Sequence, residues 1–183
     1  MQPLIEHASK NGLCSKTEYE AILKDIEDRK TTIMGFSPSP LNMLVFGLGA
    51  DALLWVAANP DGKTFFVENS KKWIDRCRPI PNVKKVSYRS RRWSQKKIHP
   101  EEKLHMNLGK AIEGIDRWDI IFVDGPVGRT QGRMRSIYNA WRLADSNTIV
   151  FVHDYDRECE KLYVDHFFKD RDITTIRRLA RIQ

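Results

Sequence analysis

At 183 residues, with 41% hydrophobic and 30% charged side chains, the chain is long enough to bury one core and short for two. That balance excludes a disordered or fibrous protein, and no apolar run approaches the length that crosses a bilayer. Its 31 Lys and Arg against 24 Asp and Glu leave a net charge of +7, which favours an anionic partner: nucleic acid, an acidic glycan or a phosphorylated cofactor.

Tyr19, Ile22, Leu23 and Ile26 fall at helical spacing and predict a helix over residues 17–29, with Ser15 or Thr17 as its cap. Ser37-Pro38-Ser39-Pro40 stops any helix, so residues 1–40 read as an N-terminal helix and lead-in to a core at 41–183. Within that core, apolar runs at 42–48, 63–68, 82–88, 119–124 and 148–153 predict strands. They alternate with helices expected at 50–58, 70–77, 108–113, 132–144 and 157–168. Residues 89–107 are polar and basic and read as a long loop with at most one helical turn, and 173–182 as a closing edge strand. Val-, Ile- and Phe-rich strands alternating with helices imply a doubly wound, mostly parallel α/β sheet in a single domain. Cys14, Cys77 and Cys159 are odd in number and lack metal-ligand spacing, so ordinary reduced thiols are expected.

In such a sheet, ligands sit beyond the carboxyl ends of the strands. Gly47 and Gly49 stand where the first strand turns into its helix, with Asp51 following; glycine allows the tight turn and a close ligand. Gly-x-Gly alone is weak, since a structural turn needs the same residues. Glu68, nineteen residues after Gly49, ends the next strand where a ribose-binding acid belongs, or caps the helix from Ser70. Together they favour a nucleoside-containing cofactor, either S-adenosylmethionine or a nicotinamide.

Ile121-Phe122-Val123-Asp124-Gly125-Pro126 and Val150-Phe151-Val152-His153-Asp154 end two further strands in titratable residues, and parallel pairing would gather Asp124, His153 and Asp154 on one rim. His153 or Asp154 then serves as a base toward a hydroxyl, with Asp124 orienting the acceptor or cofactor. A divalent cation held by Asp124 and Asp154 is the less favoured alternative, and Asp154 as a simple helix cap is another. Arg129 and Arg133, in a glycine-containing loop beside this rim, are candidates for bidentate recognition of a substrate carboxylate, although Arg133 at a helix start is equally a surface position. Tyr138, Trp141, Trp55, Trp73 and Trp118 are assigned to packing.

Taken together, these motifs resemble the plant polysaccharide-biosynthesis methyltransferases, the family of the glucuronoxylan 4-O-methyltransferases and the arabinogalactan glucuronic acid methyltransferases. The resemblance runs through Glu18-Tyr19-Glu20-Ala21-Ile22, Asn42 to Gly49 with Leu54-Trp55 and Asn59, and Gly62 to Glu68. It continues through Trp118 to Pro126, Gly132-Arg133-Met134 with Ile137-Tyr138, and Val150 to Arg157 with Glu160. It implies a Rossmann-like methyltransferase fold and S-adenosylmethionine bound around Phe46, Gly47, Gly49, Asp51, Glu68 and Asp124. It also implies O-methylation of a glycan, at the 4-hydroxyl of glucuronic acid. Arg129, Arg133 or a base of the 89–97 segment such as Arg92 would recognise the uronate.

Two departures stand out: the plant members carry a Golgi membrane anchor that this sequence lacks, and 89–107 is short, basic and without their usual insert. The chain as written is therefore expected in the cytoplasm, or in the Golgi lumen if an anchor precedes it. The competing reading is an RNA methyltransferase, suggested by the net charge of +7 and the basic run at 89–97, and a third is a non-catalytic binding module. Against the former, no Asn-Pro-Pro-Tyr-type motif follows the fourth strand, which ends in Asp-Gly-Pro.

Overall fold

Four of the five apolar runs expected as strands pair directly with one another at the centre of the computed structural model, which describes residues 1–12, 14–32, 40–87, 93–109, 112–126 and 132–183. These four are β1 (Asn42–Phe46), β2 (Lys63–Glu68), β4 (Ile120–Val123) and β5 (Ile149–His153), all parallel. β3 (Val83–Lys85) adds a short parallel strand outside β2. At the other edge β6 (Ile173–Ile176) and β7 (Leu179–Ile182) run antiparallel, giving the order β3-β2-β1-β4-β5-β7-β6.

Alternation along each strand divides the core in two. Leu44, Phe46, Ile121, Val123, Val150 and Val152 point to one face, against α6 (Met134–Leu143) and α7 (Glu158–Phe167). Met43, Val45, Ile120, Phe122, Ile149 and Phe151 point to the other. There they meet α2 (Lys16–Thr32), α3 (Ala52–Ala58) and α4 (Lys71–Arg76). Strands apolar on both faces are what a sheet covered on both sides requires, so the doubly wound fold expected from pattern is the one observed. Trp55 anchors the second face, edge-on to Phe122 at 5.3 Å and tilted against Tyr19 at 5.6 Å.

The start of α2 is a reciprocal capping box: the Ser15 N–H and Oγ both donate to Glu18 Oε2, at 2.7 and 2.8 Å, while the Glu18 N–H reaches Ser15 Oγ at 3.4 Å. Ser15, not Thr17, is the cap. Ahead of it lies a helix the sequence did not signal, α1 (Gln2–Asn11), which buries only Ile5 and Ala8. α5 (Glu101–Leu104) is the single turn expected within 89–107.

Two expectations need correction. Residues 173–182 form a hairpin, not one strand, with Arg177 at φ 56 in its turn; no Gly, Pro or Asn marks that turn in the sequence. Strand β3 stops at Lys85, short of the expected 82–88. Of the helix expected over 108–113, the described residues show a tight turn at Gly109 (φ 32), where Ile112 N donates to Gly109 O at 3.1 Å, and residues 110 and 111 lie outside the described residues. No helix among the described residues is long and apolar enough to cross a membrane.

Candidate functional site

Parallel pairing of β2, β1 and β4 brings three strand ends to one rim. At the end of β1, Gly47 takes φ +116, and the β4 turn packs so closely on it that a Cβ there would sit 3.0 Å from the Gly125 nitrogen. Asp124 N donates to Phe46 O at 2.9 Å and Gly47 N to Val67 O at 2.8 Å, fixing the glycine turn between its neighbours. Glu68 finishes the job from β2. Its Oε2 accepts from Leu48 N at 2.8 Å, and its Oε1 accepts from Asn69 N and Ser70 N at 2.7 and 2.6 Å. Ser70 Oγ in turn caps α4 through Trp73 N. Burial raises the Glu68 pKa although the three amides pull the other way. Glu68 thus braces both the glycine turn and the start of α4, the second being the capping role the sequence offered.

Above the turn lies a cleft of about 130 Å³ lined by Gly47, Leu48, Gly49, Asp51, Trp73 and Asp124, together with Asn11 and Gly12 from the end of α1. No lysine or arginine is among the described residues that line it. Asp51 is 6% exposed and accepts from Trp55 Nε1 at 3.0 Å. Burial, and then the negative charge of Asp124, push its pKa up to about 7, against the pull of that indole hydrogen bond. The cleft continues into a larger one of about 430 Å³ between α1, α3 and α4. Trp73, expected in the core, forms part of the wall of both.

Asp124 reaches the cleft from a buried charge network. Arg133, 1% exposed, donates to Asp124 Oδ1 at 2.8 Å and Asp154 Oδ2 at 2.5 Å, and to the carbonyls of His153 and Asp124 at 2.9 and 3.1 Å. Glu160 lies 3.8 Å from the same guanidinium. His153 is fully buried, with Nδ1 3.1 Å from Asp124 Oδ1 and 3.6 Å from Asp154 Oδ2. Its Nε2 has no hydrogen-bond partner among the described residues and faces Glu18 Oε2 at 3.9 Å. Asp154 adopts φ 62, a left-handed conformation Asp tolerates better than most residues, and is also paired with Arg157 and Arg178. Burial opposes its ionisation, yet the Arg133 guanidinium holds its pKa below the usual value. For Glu160 burial wins, and its pKa is raised despite Arg133.

The structure thus gathers Gly47, Gly49, Asp51 and Asp124 on the cleft, with Glu68 braced beside it. Neither His153 nor Asp154 is among the described residues that line it; Asp124, 3.1 Å from His153 Nδ1, is. The Phe46 side chain is buried in the core, so its link to the site is its carbonyl. Arg133 is not the free arm expected for a substrate carboxylate, because both terminal nitrogens are engaged inside the protein. It also bridges Asp124 and Asp154, which together with His153 offer ligand atoms within 4.8 Å of one another and could hold a metal ion. The candidates Arg92 and Arg129 lie outside the described residues. Of the other aromatics, Trp55, Trp118 and Tyr138 are buried as expected, while Trp141 is 36% exposed. Glu18 escaped the sequence reading as a site residue; the capping spacing from Ser15 was the signal that fixes it, and its reach to His153 had none. Glu160 entered only through the resemblance.

A family profile described as IRX15/IRX15L/GXM matches residues 24–103 and 90–181. Among curated proteins of Arabidopsis thaliana, the chain is 32% identical to Protein IRREGULAR XYLEM 15 over 90% of its own length and 59% of the relative's. It is 32% identical to glucuronoxylan 4-O-methyltransferase 3, covering 86% of this chain and 59% of that one, and 33% identical to arabinogalactan O-methyltransferase 1, covering 70% and 55%. The chain therefore spans somewhat more than half the length of these relatives. Among solved structures, a caffeoyl-CoA O-methyltransferase-like protein of Staphylococcus aureus superposes with a TM-score of 0.57 at 12% identity, over 100% of this chain and 91% of that one. Precorrin-6y C5,15-methyltransferase of Geobacter metallireducens gives 0.50 at 14%, over 93% and 86%. At such identities these likenesses show the shared Rossmann-like fold alone.

Proposed function

The chain belongs to the IRX15/IRX15L/GXM family, and from that premise we propose that it is an S-adenosylmethionine-dependent O-methyltransferase acting on a sugar hydroxyl of a glycan, the 4-hydroxyl of glucuronic acid. One observation supports the cofactor most directly: the cleft over the glycine turn presents Asp51 and Asp124 with no basic residue among its described lining. Two carboxylates favour a cationic ligand and oppose the pyrophosphate of a nicotinamide dinucleotide. S-adenosylmethionine carries a sulfonium and an ammonium group, and when bound it supplies an electrophilic methyl. Glu68, at the end of β2, would hold the ribose hydroxyls with the lone pairs its three amide contacts leave over.

Transfer to a hydroxyl asks for alignment and for removal of one proton. Asp124 is the carboxylate of the buried network that opens on the cleft, so it is assigned the acceptor hydroxyl and its proton. His153 and Arg133, at 3.1 and 2.8 Å, fix the orientation of that carboxylate; Asp154 and Glu160 balance the Arg133 charge. His153 is thus a positioning residue here, with Asp154 one step further back. The acceptor class is supported by the polysaccharide enzymes among the relatives.

The test is calorimetry with S-adenosylmethionine, followed by mass spectrometry of uronic acid-containing glycans, neutral glycans and RNA after incubation with protein and cofactor. Micromolar binding and methylation confined to glucuronic acid-containing glycans are expected. No cofactor binding, or methylation of RNA in place of glycans, would overturn the proposal.

A further inference from the structure

A thiol, a carboxylate and an imidazole from three separate segments meet in the interior on the far side of His153 from Asp124. Cys14 precedes α2, Glu18 lies in the first turn of α2, and His153 ends β5. All three are 2% exposed or less, and one ligand atom of each lies within 4.8 Å of the other two. Among the described residues, Glu18 forms no ion pair with a lysine or arginine, and His153 Nε2 has no hydrogen-bond partner. A buried carboxylate facing an unsatisfied buried ring nitrogen is costly unless something positive lies between them. The neighbouring carboxylates, Asp124 and Asp154, already share the Arg133 guanidinium. The surroundings also aim these groups at a cation. His153 Nδ1 lies 3.1 Å from Asp124 Oδ1; a proton held there leaves the Nε2 lone pair pointing toward Glu18 Oε2, 3.9 Å away. Glu18 Oε2 is itself steadied by the Ser15 amide and hydroxyl at 2.7 and 2.8 Å. A carboxylate behind a ligating imidazole, and hydrogen bonds to a ligating carboxylate, are the outer supports that metal ligands have. Nitrogen and oxygen ligands of a tetrahedral zinc ion stand roughly 3.3 Å apart, so the gap between His153 and Glu18 is that spacing slightly opened.

We infer that Cys14, Glu18 and His153 bind a zinc ion through Sγ, Oε2 and Nε2, with a water in the fourth position. Thiolate and imidazole ligands select zinc over magnesium and calcium, which take oxygen. Binding releases the proton of the Cys14 thiol. The ion ties the start of α2 to the end of β5 and, by fixing the His153 ring, orients the Asp124 carboxylate at the cleft. Cys14, which sequence spacing left as an ordinary thiol, thereby becomes a ligand, and the site stands whether or not the methyltransferase reading does.

The test compares wild type, Cys14→Ser, Glu18→Gln and, as a control for adventitious thiol binding, the half-buried Cys77→Ser. Each protein would be loaded with zinc and dialysed, its metal content measured by elemental analysis, and its zinc environment read by X-ray absorption. Wild type and Cys77→Ser should retain zinc in equal amount with the chain, with a single sulfur at ~2.3 Å. Cys14→Ser should lose the sulfur signal, and both it and Glu18→Gln should bind zinc more weakly, by at least the ~10–100-fold that removal of an outer partner costs. A chelator should lower the melting temperature of wild type and leave that of Cys14→Ser unchanged.

A wild type that takes up no zinc would overturn the inference and leave His153 Nε2 to be satisfied by a proton. Zinc held by nitrogen and oxygen alone, and kept by Cys14→Ser, would also overturn it, placing the ion at Asp124, His153 and Asp154. Should Cys14→Ser fail to fold, the sulfur signal of wild type against that of Cys77→Ser decides the matter. Calorimetry with S-adenosylmethionine tests the methyltransferase reading separately, so the failure of one is not the failure of the other.

Discussion

Replacing Asp51 with Asn tests the electrostatics of the cleft directly. In the folded protein the Asp51 carboxyl is pushed up to about 7, by burial first and by Asp124 second, whereas an unfolded Asp titrates near ~3.9. Between these values the folded state holds a proton that the unfolded state has released. Wild-type stability should therefore be greatest below about pH 4 as far as this group is concerned, fall as pH rises through about 7, and level off above. A gap of about three pKa units at ~1.36 kcal/mol each sets an upper bound of ~4 kcal/mol. Local relaxation and water penetration bring the measured figure below that bound. Asparagine keeps an oxygen for Trp55 Nε1 and carries no charge, so the variant escapes the penalty. At ~2–4 °C per kcal/mol for a chain of this size, Asp51→Asn should melt several degrees above wild type at pH 8 and level with it at pH 4. Thermal melts of both proteins across that range are the assay. A difference independent of pH, or one that favours wild type as pH rises, would refute the reasoning. The same carboxyl should register the cofactor: a cation bound beside it draws off its proton. Calorimetry near pH 6.5 in buffers of different ionisation enthalpy should then show proton release in wild type and none in Asp51→Asn.

Arg133→Met strips the shared cation from Asp124, Asp154 and Glu160; removing one partner of a buried ionic group costs ~3–5 kcal/mol, which denaturant melts at pH 7 would read. The loss should shrink when Glu160→Gln is added, and equal losses in the single and double variants would rule out charge imbalance as the cause. Gly47→Ala forces a Cβ onto the Gly125 backbone and a left-handed φ onto alanine. It should cost ~1–3 kcal/mol and weaken cofactor binding, whereas Ala50→Gly in the same turn should leave that affinity near wild type.

Much of the fold was legible because its strands are apolar on both faces and its helices end on recognisable punctuation. Asn59 closes α3, Ser70 opens α4, and β2 falls on 63–68 as read. The hairpin at 173–182 was not legible, since its turn is built from Arg177 and Arg178, with Glu18 receiving the Arg178 amide at 2.8 Å from a helix far away in sequence. Helix α1 was missed for a related reason: two buried residues in ten make no periodic stripe, and it is held by packing on α2 and α3.

The sequence by itself determined the residues at the rim: Gly47, Gly49, Glu68, Asp124 and His153 stand at strand ends because hydrophobic runs stop there. It could not rank them, because exposure and pairing depend on what other segments bring. Only the tertiary structure set Asp124 at the cleft and His153 against its carboxylate, and made Arg133 an internal counter-ion in place of a substrate arm. It also put Trp73 on the wall of both clefts. Such assignments come from contacts between residues tens to more than a hundred positions apart, and burial sets their energies by removing the solvent that would screen them.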